Sequence, residues 1–207
     1  MPVPLQRLVK IDRSHAQPII KMLTRAFWKY PVLTHYFPDE STRQRLSDTM
    51  LAWAVYSCVR YGEVYSTSEK CEGAAVWTAS NDFPIGFWRM LRSIPLRYLL
   101  PLGSGPDNGM QGFDRYVNEI HKRLVPYRHY YLELLGVDPQ FQGQGFSSKL
   151  MRPMLARLDK EGQACYLETQ DEKDVPIYLH FGFSVIDESP IPNTPIKNWA
   201  LLRKPGS

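Results

Sequence analysis

The sequence predicts an α+β protein built around one β-α-β unit. Apolar segments with the period of strands alternate with segments of helical period along the chain. In the last third a strand, a glycine-bearing loop, an amphipathic helix and another strand follow in immediate succession. No repeat and no linker interrupts the 207 residues, so 1–207 is expected to form a single domain.

Each element has its own signature. Leu5–Ile11 alternates loosely and reads as a first strand, β1. Ser14 is placed to cap a helix running to about Trp28, with Pro18 near its first turn. An aromatic loop follows, from Phe27, Trp28 and Tyr30 to Tyr36 and Phe37. A second helix is expected over Ser41–Arg60, where Met50/Leu51, Ala54/Val55 and Cys58/Val59 recur every four residues before Gly62. Glu63–Ser68 (β2) and Gly73–Ala79 (β3) form a hairpin around Glu69 and Lys70.

Residues 80–129 read as an inserted helical segment. Phe87, Met90, Leu91, Ile94 and Tyr98 share a helical face, Gly103–Gly109 is a loop, and another helix covers about Phe113–Leu124. Tyr130–Val137 (β4) is a buried-type strand. The helix over Gln144–Lys160 places Leu150, Met151, Met154, Leu155 and Leu158 on one stripe, and Pro153 inside it predicts a kink. Gly162 ends that helix. Cys165–Thr169 (β5), a short helix from Val175 to His180 closed by Gly182, Phe183–Ile186 (β6) and Lys197–Arg203 (β7) complete the chain.

The totals exclude several classes. At 43% hydrophobic and 13% aromatic, the chain can bury a sizeable core. A formal charge of +4, without any basic run, gives no reason to expect nucleic acid. Three cysteines without CxxC spacing suggest no disulfide framework, and the histidines lack metal-ligand spacing, so no metal is expected. No secretory signal is visible, and the apolar stretch Phe83–Leu100 is interrupted by three arginines and two prolines. A cytoplasmic protein that does not enter a membrane is the expectation. The Phe87–Tyr98 face, flanked by arginines, is a candidate surface for a membrane or partner.

The segment most informative about function is VDPQFQGQGFSSKL, Val137–Leu150. A P-loop requires Lys-Ser/Thr directly after its last glycine, but Phe146 stands there. A Rossmann fingerprint requires a third glycine, where Ser148 stands, and glycines that follow their strand almost directly. Gln140-Phe141-Gln142-Gly143-Gln144-Gly145 instead matches Q/R-x-x-G-x-G/A, the signature of the GNAT superfamily of acyl-CoA N-acyltransferases. The downstream Tyr178-Leu179-His180-Phe181-Gly182-Phe183 resembles the family's Tyr-x-x-x-Gly-Phe element. The resemblance is sharp over Tyr130–Ile186 and reaches more weakly to Trp199. Tyr166–Thr169 (YLET), Pro176-Ile177-Tyr178 and the aromatic loop are similar to the branch that includes puromycin N-acetyltransferases.

The resemblance implies an α/β/α sandwich with a mixed, mostly antiparallel sheet in which β4 and β5 splay apart. Residues 130–186 would be the acyl-CoA-binding and catalytic core. The glycine loop, through Gln142, Gly143, Gln144, Gly145, Phe146, Ser147 and Ser148, would hold the pyrophosphate of coenzyme A at a helix N-terminus. The pantetheine arm would pair with Leu135, Gly136 and Val137, and the Leu135 N–H would polarise the thioester carbonyl. Asp174 stands where many relatives carry an asparagine that bonds this arm. Lys149 and Arg152 could reach the nucleotide's extra phosphate, although a solvated basic helix face is the better explanation of each.

Tyr178 corresponds to the family's acid beside the sulfur. A phenol pKa of about 10 against about 8.5 for a thiol permits donation. Glu133 and Glu168 are candidate bases; Glu133, two residues before Leu135, is expected on the same side of β4. The implied reaction is transfer of an acetyl group from acetyl-CoA to a small-molecule primary amine by direct attack through a tetrahedral intermediate. An acyl-cysteine route lacks a paired histidine. The alternative is a non-catalytic acyl-CoA-binding or sensing protein of the same fold. The acceptor pocket is expected from Phe27, Trp28, Tyr30, Tyr36, Phe37 and the 80–129 segment. A homodimer is left open.

Overall fold

A computed structural model describes residues 5–98 and 109–207. Among the described residues the sheet has seven strands in the order β1-β2-β3-β4-β5-β7-β6. Only β4 and β5 run parallel; all other neighbours are antiparallel. The observed strands are Val9–Lys10, Glu63–Ser66, Gly73–Ala79, His129–Val137, Ala164–Thr169, Ser184–Pro190 and Lys197–Arg203. β1 is therefore shorter than expected, because Leu5–Arg7 winds into a 3-10 turn.

The helices are α1 (Ala16–Ala26), α2 (Pro31–Tyr36), α3 (Glu40–Tyr61), α4 (Phe87–Ser93), α5 (Met110–Leu124), α6 (Phe146–Lys160) and α7 (Val175–His180). Two expectations near the N-terminus are corrected. Ser14 donates its N–H and hydroxyl to Asp12, and His15 occupies the N-cap position of α1. The expected aromatic loop contains α2, which starts at Pro31, whose fixed φ suits the first helical position. The loop expected over Gly103–Gly109 lies outside the described residues except for Gly109.

Strand alternation divides the core between two faces. Ala74 and Val76 of β3 pack with Ile19, Ile20 and Leu23 of α1 and Leu51 and Val55 of α3. Ala75 and Trp77 turn the other way, onto Leu150, Met151, Met154, Leu155 and Leu158 of α6. The whole predicted stripe of α6 is buried, each such side chain contributing about 1.5–3 kcal/mol. The helix runs unbroken through Pro153. Two Arg–carboxylate forks anchor its far half: Arg157 on Glu63 of β2 at 2.6 and 2.8 Å, and Arg203 of β7 on Asp159 at 2.6 and 2.9 Å. The sheet is thus sandwiched between α1, α3 and α5 on one face and α6 and α7 on the other.

Candidate active site

The parallel ladder between β4 and β5 joins His129–Leu132 to Ala164–Leu167 and stops there. β4 continues to Val137, and β3 still pairs with Leu135, Gly136 and Val137 along its opposite edge. Backbone groups of a strand point alternately to its two edges, so this stretch turns N–H and C=O groups into a gap. The register of β4 against β3 shifts just there. On β3, Val76 and Trp77 are consecutive, yet their partners on β4 are Leu134 and Leu132. Glu133 is the extra residue of a bulge.

That bulge corrects one expectation. Glu133 and Leu135 do not share a face: Leu135 packs toward α6, whereas Glu133 reaches α3 and β3 on the other side. Simple alternation fails because the inserted residue resets the parity of the strand. Glu133 Oε1 accepts hydrogen bonds from Thr78 Oγ1 and, at 3.1 Å, from Cys58 Sγ. Burial raises its pKa, against the effect of those two donors.

Glu168 projects to the α5 face. Its Oε1 accepts from the Tyr166 hydroxyl at 2.7 Å and its Oε2 from Tyr131 at 3.1 Å. Burial pushes its pKa up to about 7, the two tyrosine hydrogen bonds opposing the rise. Below the split, Tyr166 stacks on His121 with ring centroids 4.6 Å apart. His129 Nδ1 lies 2.6 Å from the Tyr127 carbonyl, which can only accept, so that nitrogen carries the proton. His129 Nε2 must then accept from His121 Nε2–H, 2.6 Å away. Burial, with His129 and Lys122 adding to it, lowers the His121 pKa to about 3, so the pair is neutral.

Tyr178 lies across the sheet from the carboxylates, in the α6 and α7 layer with Leu167, Phe183 and Trp199. Burial, then the nearby Asp174 carboxylate and Tyr30, push its phenol well above the ordinary value. Asp174 itself accepts from Thr169 Oγ1 at 3.1 Å, and Tyr30 joins the same network through Thr169 and the Gln170 N–H at 2.8 Å.

The glycine loop closes the end of the gap. Gly143 and Gly145 have φ of 75° and 78°, a region costly for other residues, although space exists around both. Gly145 is the N-cap of α6, and the first helical bond runs from Lys149 N to Gly145 O. The N–H groups of Phe146, Ser147 and Ser148 therefore precede that bond at the positive end of the helix. Lys149 Nζ sits 4.1 Å above the Phe146 ring, and Arg152 approaches His180 at 3.3 Å. Gly136 lets β4 lie close under α1, since a Cβ there would lie 2.6 Å from Leu23 Cδ2, which would have to shift.

Several supporting residues were not anticipated. Asp138, buried in the turn before the loop, accepts from Arg25 of α1 at 2.5 and 2.9 Å and from Gln140 N at 3.1 Å. Its place in Val-Asp-Pro was a legible signal. Thr78, Cys58, Tyr131, Tyr166 and the histidine pair carried none, because their partners are distant in sequence. Of the expected acceptor aromatics, Tyr36 and Phe37 are buried against Val32, Leu33, Ile191 and Ile196. The segment also contributes α2, whose Pro31, Thr34 and His35 line a cleft of about 520 Å³ together with Gln170, Lys197 and Trp199. Among the described residues, no group of three or more His, Cys, Asp or Glu is placed to hold a metal, and no helix is long and apolar enough to cross a membrane.

Comparison with known proteins agrees with this geometry. The Acetyltransferase (GNAT) domain family matches residues 118–194. An N-acetyltransferase of Schizosaccharomyces pombe, itself described as uncharacterised, is 29% identical over 181 residues, covering 84% of this chain and 72% of the relative. A Corynebacterium glutamicum structure described as histone acetyltransferase HPA2 and related acetyltransferase superposes with a TM-score of 0.67 at 17% identity, covering 97% and 96% of the two chains. Polyamine N-acetyltransferase of Drosophila melanogaster, an enzyme that forms N-acetylagmatine, gives 0.62 at 14% identity, covering 95% and 98%. These two structures share the fold. The match to the GNAT domain family covers residues 118–194, and the fold shared with these acetyltransferases extends over nearly the whole chain.

Proposed function

We propose that this enzyme transfers an acetyl group from acetyl-CoA to a small-molecule primary amine by direct attack through a tetrahedral intermediate. One observation carries the reading: the β4/β5 split, the left-handed glycine loop at the N-terminus of α6, and Tyr178 all meet at one gap. In this reading residues 130–186 form the core of one acetyltransferase domain, with 80–129 beside it.

Each part of the gap suits one part of the donor. Gln142, Gly143, Gln144 and Gly145 with the N–H groups of Phe146, Ser147 and Ser148 suit a pyrophosphate, which needs converging donors and a positive dipole end. Leu135, Gly136 and Val137 offer an open strand edge to an amide-bearing arm, and the Leu135 N–H serves as the oxyanion donor. Asp174 is already engaged by Thr169, so its contact with the arm would be through its remaining acceptor capacity.

The carboxylates and the phenol stand on opposite faces of the gap, which gives the two proton movements separate sides. Glu133 or Glu168 removes a proton from the amine on the α3 and α5 face. Tyr178, kept protonated by its raised pKa, donates a hydrogen bond to the departing sulfur on the other. The raised value makes full proton transfer to the thiolate less favourable than for an ordinary phenol. The cleft beside α2 opens next to the end of β5 and is the entry we assign to the acceptor. The Drosophila relative's action on agmatine supports a small amine as acceptor.

The test is thiol release from acetyl-CoA in the presence of agmatine, spermidine, phenethylamine and amino acids. Acceptor-dependent release supports the assignment. Tight acetyl-CoA binding with no release for any amine would instead support a binding or sensing protein.

A further inference from the structure

The two carboxylates at the split are held differently. Glu168 has both oxygens occupied, one by Tyr166 and one by Tyr131. For Glu133, among the described residues, both hydrogen bonds arrive at the same oxygen, Oε1: one from Thr78 on β3, one from Cys58 on α3. The two donors also touch each other, Cys58 Sγ lying 3.1 Å from Thr78 Oγ1. Thr78 and Cys58 are fully buried, whereas Glu133 is only partly so. The carboxylate is therefore gripped from the protein side and keeps Oε2 for a partner.

We propose that Thr78 and Cys58 are the positioning residues of this enzyme: together they hold Glu133 by Oε1 and thereby assign Oε2 as the atom that takes the proton of the acceptor amine. The inference rests on Glu133 acting as the base. It follows from two properties of the bulge. A bulge re-aims the side chain it carries, and the hydrogen bonds from Thr78 and Cys58 fix the Glu133 carboxylate in that direction. A carboxylate anchored by neutral donors stays basic, whereas one anchored by arginine or lysine would lose basicity. The site uses a hydroxyl and a thiol. The Cys58 thiol is held protonated by burial and by the adjacent Glu133, so it is a donor and no nucleophile. Among the described residues, the other titratable groups on this face are Tyr131 and Tyr166, whose phenols burial and Glu168 push up, Glu168, which burial pushes up to about 7 and both tyrosines hold, and the His121–His129 pair, which burial keeps neutral.

Each step of the proton movement balances. The N–H bond of the bound ammonium breaks and Oε2–H forms; the freed lone pair makes the C–N bond, the tetrahedral intermediate collapses with the C–S electron pair leaving on sulfur beside Tyr178, and the surplus proton on nitrogen passes to that thiolate. Glu133 then returns the proton to solvent.

The experiment measures the acidic limb of kcat/KM against pH, using acetyl-CoA and the best amine from the panel above. It also follows the Glu133 carboxyl carbon by ¹³C NMR titration in acetyl-CoA-bound enzyme. Both donors favour the charged carboxylate, so removing one raises the Glu133 pKa. Thr78→Val should move the limb and the NMR titration together to higher pH by about 1 unit. Cys58→Ala should move them the same way by less, and Thr78→Ser and Cys58→Ser should restore them. Acetyl-CoA binding of each variant, measured alongside, reports folding. If Thr78→Val and Cys58→Ala bind acetyl-CoA but leave both titrations in place, the positioning role is overturned. If Glu133→Gln keeps the acidic limb, the base assignment itself fails, a different outcome from the first.

Discussion

Below Leu132 and Leu167, β4 and β5 are joined by a regular ladder; above it they part. The paired half is closed. His121, His129, Tyr131 and Tyr166 stack beside it, and the two histidines are bonded to each other. The split half exposes backbone edge at Leu135–Val137 and carries Glu133 and Glu168, both with raised pKa values. One pair of strands therefore does two jobs, and the bulge at Glu133 is the boundary between them. Rigidity below makes the gap above stable enough to be a binding site.

Five substitutions break or sharpen this contrast. The largest effect is expected from Glu133→Gln, which removes the base while keeping the bulge: kcat/KM should fall by roughly 10²–10⁴ at neutral pH, read by thiol release. Tyr178→Phe removes the hydroxyl on the opposite face and should lower kcat by about 10² with little change in acetyl-CoA affinity. An unchanged kcat would take the acid role away from Tyr178.

Gly145→Ala forces a side chain into φ of 78° at the cap of α6. It should weaken acetyl-CoA binding about 10-fold, corresponding to the 1–2 kcal/mol cost of that conformation, and leave kcat for bound substrates nearly intact. Calorimetric titration measures it.

The smallest effect, in melting temperature, separates the halves by sign. His121 in the paired half has a folded pKa of about 3, below its ordinary 6.5. Its contribution is present above pH 6.5 and is lost as pH falls toward 3. Glu168 in the split half has a folded pKa of about 7, above its ordinary 4.5. Its contribution is present below pH 4.5 and is lost as pH rises through 7. Glu168→Gln should therefore raise the melting temperature at pH 8 relative to wild type by more than at pH 5. His121→Phe should flatten the loss on the acid side. Identical pH profiles for both variants and wild type would contradict the assigned pKa shifts.

The same contrast explains what the sequence made legible. The α6 stripe, the β2–β3 hairpin, β7 and α7 were readable because local period and glycine punctuation define them. The glycine loop was readable because its φ > 0 positions demand glycine. The bulge was not, since alternation in YYLELLGV contains no mark of an extra residue, and so the face of Glu133 was misassigned. α2 was missed because six residues between two prolines offer no helical period. Thr78, Cys58, Tyr131 and Tyr166 became part of the site only through contacts between strands and helices far apart in the chain, which no local pattern encodes.

The central claim is that acetyl-CoA occupies the open edge of β4 and leaves the paired half untouched. Residue-resolved amide hydrogen exchange, with and without acetyl-CoA, tests it most directly. The account predicts new protection within Leu135–Val137 and at Phe146–Ser148, with His129–Leu132 unchanged. Protection that spares Leu135–Val137 and Phe146–Ser148 while acetyl-CoA is bound would contradict it.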